Sequence, residues 1–234
     1  MPRTLPGFRP SLSFALMLTL LAVLWIAGGA SRPDALGQVV VRFASFFALA
    51  VSVAFSGLPR VGTARPVCWL LLAMLAATVV QLIPLPPSIW LSLPGREPLA
   101  QAATLIGEPQ PWRPIAIVPG AAANAAMSLI VPLALLVLTL HLTTWERAKL
   151  QNIVLLLIVA SMLFGLLQFS GIRFDNPLVN DTIGEVSGPF ANRNHLALFL
   201  AIGCLITPAW AFPAVQRQPG WRAPCALDRK STRL

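Results

Sequence analysis

One stretch concentrates the residues able to do chemistry: GPFANRNH, Gly188 to His195. Gly188 and Pro189 favour a turn. Asn192 and Asn194 are the kind of short polar side chain that caps a helix by accepting its free N–H groups, and an apolar run follows directly. Arg193 and His195 then stand where that helix leaves the surface. A helix start carries unpaired N–H donors and partial positive charge, which suits an anion. The planar fork of Arg193 matches phosphate oxygens, so a pyrophosphate is the expected guest. A plainer reading accounts for the same residues: an arginine anchored at a membrane interface and asparagines capping an ordinary helix.

The other candidates are more scattered. Arg42 falls about one turn inside an otherwise apolar run. An arginine inside a membrane span is a functional candidate, though it is also long enough to reach headgroups. His141 closes another apolar run and reads as interfacial. Asp175, Asp181 and Glu185 are too irregularly spaced for an acid–base pair or a metal site and read as loop solvation. Cys68, Cys204 and Cys225 lie far apart, which suggests neither zinc ligation nor a disulfide framework. No phosphate loop, HExxH, CxxC or GxSxG occurs, and neither a cofactor nor a metal is expected.

The elements that must carry these residues are membrane helices. The chain has 234 residues, 56% of them hydrophobic and 11% charged, against roughly 25% charged in soluble domains. Mean hydropathy is +0.75. A helix crossing hydrocarbon needs about 20 apolar residues, and the charge-poor stretches place six: about 11–30, 38–58, 67–85, 121–142, 152–171 and 195–213. The expected fold is all-α, a polytopic membrane protein with about six transmembrane helices over residues 1–213 and a basic tail over 214–234. The uncharged stretch from Pro10 to Ser31 is longer than a signal-peptide core and reads as the first span. The connection 86–120 is proline-rich and carries Trp90 and Trp112. Its part 88–106 suits one or two short helices on the membrane surface, where tryptophan is favoured.

Charge orients the chain. With the N-terminus inside, the inner segments carry Arg3, Arg9, Arg60, Arg65, Arg147, Lys149 and the five basic residues of the tail; the outer ones carry Arg32, Arg96, Arg113, Arg173 and Arg193. Basic residues collect on the cytoplasmic side, so both termini are expected there, with the connections after the third and fifth spans outside. The net charge of +9 is spread singly and in pairs. It makes no basic stripe of the kind nucleic acid requires, so no nucleic-acid partner is expected.

Three pieces resemble the O-antigen ligase and oligosaccharide polymerase superfamily of bacterial envelope proteins. QLIPLPPSIWLSLPGR, Gln81 to Arg96, is similar to the proline-rich stretch that ends the third span in many members. WRPIAIVPGAAANA, Trp112 to Ala125, is similar to the segment leading into the fourth. GPFANRNHLALFLA, Gly188 to Ala201, resembles the G-x-F-x-N-x-N motif that opens the family's core domain. The resemblance implies a multi-pass protein of the bacterial inner membrane. Its function would be glycosyl transfer from an undecaprenyl-pyrophosphate carrier to an acceptor glycan or lipid A core on the periplasmic side. Substrate binding would fall to Asn192, Arg193, Asn194 and His195, with Arg42 as a further candidate. The family's catalytic loop lies in a C-terminal half with further spans, so the chain is expected to be the N-terminal portion of a longer protein, and the ending DRKSTRL reads like translated adapter sequence. The competing readings are a polysaccharide polymerase of the same superfamily, which differs only in acceptor, and a non-catalytic membrane transporter or scaffold.

The threading is testable directly. Reporter fusions after Arg65, Lys149 and Arg217 are expected to report the cytoplasm, and fusions after Gly107 and Val179 the periplasm; a cytoplasmic signal after Gly107 overturns the orientation.

Overall fold

The structure is a computed structural model. It describes residues 10–32, 35–105, 107, 109–172, 176–179 and 185–211, with the side chains of 209–211 excepted. The basic tail, with Arg217 and Cys225, lies outside the described residues, as do Asp175 and Asp181; Glu185 is described and exposed.

The described fold is all-α apart from one two-residue strand pair. The elements are α1 (Leu12–Ala27), α2 (Leu36–Ser56), a 3₁₀ turn (Gly62–Ala64), α3 (Arg65–Val80), β1 (Pro84–Leu85), α4 (Pro87–Trp90), α5 (Glu97–Leu105), β2 (Arg113–Pro114), α6 (Pro119–Ser128), α7 (Ile130–His141), α8 (Thr144–Phe169) and α9 (Arg193–Ala211). Apolar helices stand at all six expected places. Four are long and apolar enough to cross a membrane: Leu36–Ser56, Gly62–Val80, Pro119–His141 and Thr144–Phe169. The first and last, Leu12–Ala27 and Arg193–Pro208, are apolar but shorter. At 1.5 Å per residue, a sixteen-residue helix spans about 24 Å against a hydrocarbon thickness of about 30 Å. The chain is thus a helical membrane protein.

The described residues fall into two compact units, the first those up to Glu146 together with 177–179, the second the rest from Arg147 on. In the first, α1, α2 and α7 pack on one another, and α3 packs on α6. The buried residues of α2 are Gly37, Val41, Ser45, Ala48 and Ser52, a stripe at steps of three and four. Small side chains there let backbones approach closely, which is how helices associate where lipid removes the hydrophobic drive. The opposite side carries Phe43, Phe46, Phe47 and Phe55, all exposed, the residues expected against lipid.

The fourth apolar run is not one smooth helix. It breaks at Leu129, between α6 and α7, three residues before Pro132. Proline has no N–H to donate to the carbonyl four residues back, here that of Ser128, and its ring crowds that carbonyl. The break is therefore placed by Pro132. At the far end of α7, His141 Nε2 meets the carbonyl of Gly57 at 3.2 Å. This histidine joins the C-terminal ends of α2 and α7, which run in the same direction.

The connection holds two short helices, α4 and α5, as its pattern suggests, but Trp90 differs from expectation. It is 2% exposed, and its Nε1–H donates to the carbonyl of Pro114 at 3.0 Å. The pairing of β1 with β2, Pro84 opposite Pro114 and Leu85 opposite Arg113, folds the connection back so that this bond forms. Trp112, by contrast, is exposed.

The turn into α8 is a reciprocal cap. Glu146 accepts from the N–H of Thr143 at 2.9 Å and from its hydroxyl at 3.0 Å, while Thr143 Oγ1 accepts from the N–H of Glu146 at 3.3 Å. This is a capping box. The other carboxylate oxygen accepts from the N–H of Ser11 at 2.9 Å, and the Ser11 hydroxyl caps α1 by accepting from Phe14 at 3.1 Å. One buried carboxylate thereby holds the starts of two helices.

Gly37 is where packing is tightest. Its N–H donates to Leu178 O at 3.1 Å, and a Cβ there would fall inside contact distance of the backbone oxygens of Leu178 and Ala27. Overpacking costs about 1–3 kcal/mol, so Gly37→Ala is expected to lower the melting temperature of the detergent-solubilised chain by several degrees. Gly120→Ala, where a Cβ meets nothing within 4 Å, serves as the control and leaves it unchanged or slightly higher. Equal melting temperatures for the two variants would show that the Gly37 approach is not under constraint.

Candidate functional site

The motif that opens α9 is built from its turn. Gly188 has φ +63, a left-handed conformation that glycine adopts without steric cost. A Cβ there would also meet Leu196 at 3.0 Å and the carbonyl oxygen of Ser161 at 3.2 Å. The turn is gripped by one side chain, Gln168 near the end of α8. Its Oε1 accepts from the N–H groups of Ser187 at 3.0 Å and Gly188 at 2.7 Å, and its Nε2 donates to Gly188 O at 3.2 Å. Ser187 and Gly188 are buried, so Gln168 supplies the partners that water would otherwise have to provide.

The candidate residues then follow in one turn. Asn192 caps: its Oδ1 accepts from the N–H of Asn194 at 2.8 Å, and its carbonyl from the N–H of His195 at 3.0 Å. Asn194 does not share that role, because it is already the second residue of α9 and its side chain is exposed. Arg193 is the first helical residue. It is exposed and makes no hydrogen bond or ion pair with another described residue. His195 is also exposed and meets Phe190 edge-on, ring centres 6.4 Å apart, while Phe190 packs edge-on to Phe199 at 5.7 Å. The arrangement offers a guanidinium and an imidazole on a turn fixed from behind.

Arg42 belongs to the other unit and turns inward, not toward headgroups. Its Nη2 donates to Gln38 Oε1 at 3.0 Å, Ser128 Oγ at 2.8 Å, the carbonyl of Asn124 at 3.3 Å and Asn124 Oδ1. Two hydrogens are shared among four oxygens, none of them a carboxylate. Ser128 and Asn124 are themselves joined, Ser128 Oγ donating to Asn124 O at 2.8 Å. Arg42 borders a cavity of about 210 Å³ with Gln38 and Ser128. With its Nη2 so engaged, Arg42 ties α2 to α6 just before the break at Leu129.

Two polar features escaped the sequence reading. Gln168 is one; a glutamine at the end of an apolar run carries no sign of what it grips. Arg96 is the other. It is 7% exposed, within 5.1 Å of the centre of the Trp90 ring, as Arg113 also is. In sequence it stood out only as a loop charge, although its spacing from Trp90 across a turn-forming Pro-Gly pair was visible.

No family model matches the chain, and neither a curated protein nor a solved structure matches it.

Gln168 yields a graded prediction. An unpaired buried donor or acceptor costs about 1–3 kcal/mol, so Gln168→Leu is expected to speed hydrogen exchange at the Ser187 and Gly188 amides by roughly ten-fold or more. Gln168→Glu keeps an acceptor for both amides and loses only the donor to Gly188, so its effect is smaller. Unchanged protection in Gln168→Leu would mean the turn holds without the clamp.

Proposed function

We propose that the chain acts in membrane glycosyl transfer of the O-antigen ligase type, binding the pyrophosphate of an undecaprenyl-linked glycan at Arg193 on the outer side of the bacterial inner membrane. The acceptor in this reading is a second glycan or lipid A core. The observation that carries it is the exposed, unpartnered guanidinium of Arg193 on the first turn of α9, where helix N–H groups and the arginine fork both favour an oxyanion. The rigid backing by Gln168 supports it, since an arginine on a fixed turn loses less freedom on binding than one on a loose loop. His195 is the second candidate for that headgroup, two residues along α9 and so on a different side of the helix from Arg193. Arg42 is left out of this site because its Nη2 is committed to oxygens of α2 and α6. A polymerase works on the same donor and differs in acceptor, so donor binding is the property to test.

The test uses the purified chain in nanodiscs with undecaprenyl-pyrophosphate glycan as the probe. A hydrogen bond to a charged group contributes about 1.5–3 kcal/mol, so Arg193→Ala is expected to weaken binding by roughly ten- to a hundred-fold. Arg193→Lys recovers only part, because an ammonium is a point charge without the planar fork. Wild-type affinity in Arg193→Ala at equal membrane abundance reduces Arg193 to an interfacial anchor and removes the reading.

A further inference from the structure

The first unit contains a second arginine whose electrostatics are unresolved within the protein. Arg96 is 7% exposed. Its Nη2 donates to the carbonyl of Ile115, but Nε and Nη1 are buried with no partner. No described carboxylate forms an ion pair with it; Glu97, its neighbour in sequence, is exposed. A second cation, Arg113, stands over the same Trp90 ring, which adds repulsion to the desolvation cost. Orphaned donors on a buried charge are costly, and a buried charge that persists is ordinarily paired.

Arg96 borders a cavity of about 550 Å³ between α3, α6 and the chain leading into α6, with Thr78, Gln81, Ala121, Ala122 and Ala125 also on its wall. The wall combines a few polar groups with a run of alanine methyls. α3 has no buried residue, so this side of the groove is uncovered among the described residues.

We propose that this groove binds one glycerophospholipid of the surrounding bilayer, its phosphodiester taken by the Arg96 guanidinium and its hydrocarbon laid along the alanines of α6. Chemistry selects the class. A phosphodiester supplies anionic acceptor oxygens of the kind that the unpaired Nε–H and Nη1–H groups lack. Arg96 and Arg113 stand over one ring, so an anion there offsets their mutual repulsion as well as the buried charge. An uncovered apolar wall favours a ligand with a tail over free phosphate. Reaching the orphaned donors takes a rotation of the side chain toward the cavity it already borders. The proposal is independent of the Arg193 reading: it concerns a different unit and a different lipid.

The experiment titrates short-chain phosphatidylglycerol into the full chain in detergent and reads tryptophan fluorescence, since Trp90 lies against Arg96. One saturable equivalent is expected. Arg96→Gln weakens it at least roughly ten-fold, the loss of one charge-assisted contact. Ala125→Phe, which narrows the groove without touching the guanidinium, weakens it as well while the melting temperature holds, so the proposal stays testable even if Arg96→Gln folds poorly. Arg193→Ala leaves this affinity unchanged. Equal binding of short-chain diacylglycerol, which lacks the phosphate, overturns the proposal, as does wild-type affinity in a folded Arg96→Gln or in Ala125→Phe. Tighter binding of inorganic phosphate, pyrophosphate or undecaprenyl phosphate overturns the assignment to a bilayer lipid, and a matching loss in Arg193→Ala overturns the separateness of the two sites.

Discussion

Hydrocarbon offers no water, so every backbone N–H and C=O that enters it must find its partner inside the protein. That requirement makes the described chain helical almost throughout. It also dictates what happens wherever a helix is interrupted. At Leu129 the ladder lapses because Pro132 has nothing to donate. At Ser187 and Gly188 the backbone leaves helical geometry, and the side chain of Gln168 stands in for the missing ladder. At the starts of α1 and α8, Glu146 does the same for N–H groups that no preceding turn can serve.

The arginines meet the same constraint in three ways. Arg42 satisfies its Nη2 with neutral oxygens from Gln38, Asn124 and Ser128, which spreads the charge over dipoles and ties α2 to α6. Arg96 leans on the face of Trp90, whose ring quadrupole attracts a cation, and leaves part of its fork unpaired. Arg193 stays in contact with solvent and keeps its fork whole. The same side chain is thus a strut, a buried charge with unpaired donors, or an exposed fork, according to how many oxygens the surrounding helices bring to it.

Legibility followed the same physics. Membrane helices announce themselves by the absence of charge over about 20 residues, so all six apolar segments could be placed by inspection, and the turn at Gly188 was readable because glycine before proline permits little else. The asparagine pair was readable only in type: both have capping side chains, but the helix starts at Arg193, two residues too early for Asn194 to cap. The break at Leu129 was written in Pro132 yet is easily passed over inside so apolar a run. What composition could not disclose were partnerships between distant residues, such as Gln168 with Gly188, Arg42 with Asn124 and Trp90 with Pro114. Those depend on which helix faces which, and a uniformly apolar helix hardly records its own facing: α3, surrounded by exposed side chains, has no buried stripe to betray it.

The small-residue stripe of α2 has a thermal consequence. Where a soluble core comes apart, apolar surface meets water, and the heat capacity rises steeply. When α2 separates from α1 and α7 within a bilayer, Gly37, Val41, Ser45, Ala48 and Ser52 exchange helix for acyl chain, and little apolar surface meets water. That step releases little ordered water, so its enthalpy changes little with temperature. The bundle's cohesion therefore follows a nearly straight line on cooling, without the low-temperature decline that limits water-driven folds, and it rests on the closeness of fit between backbones more than on the area they cover.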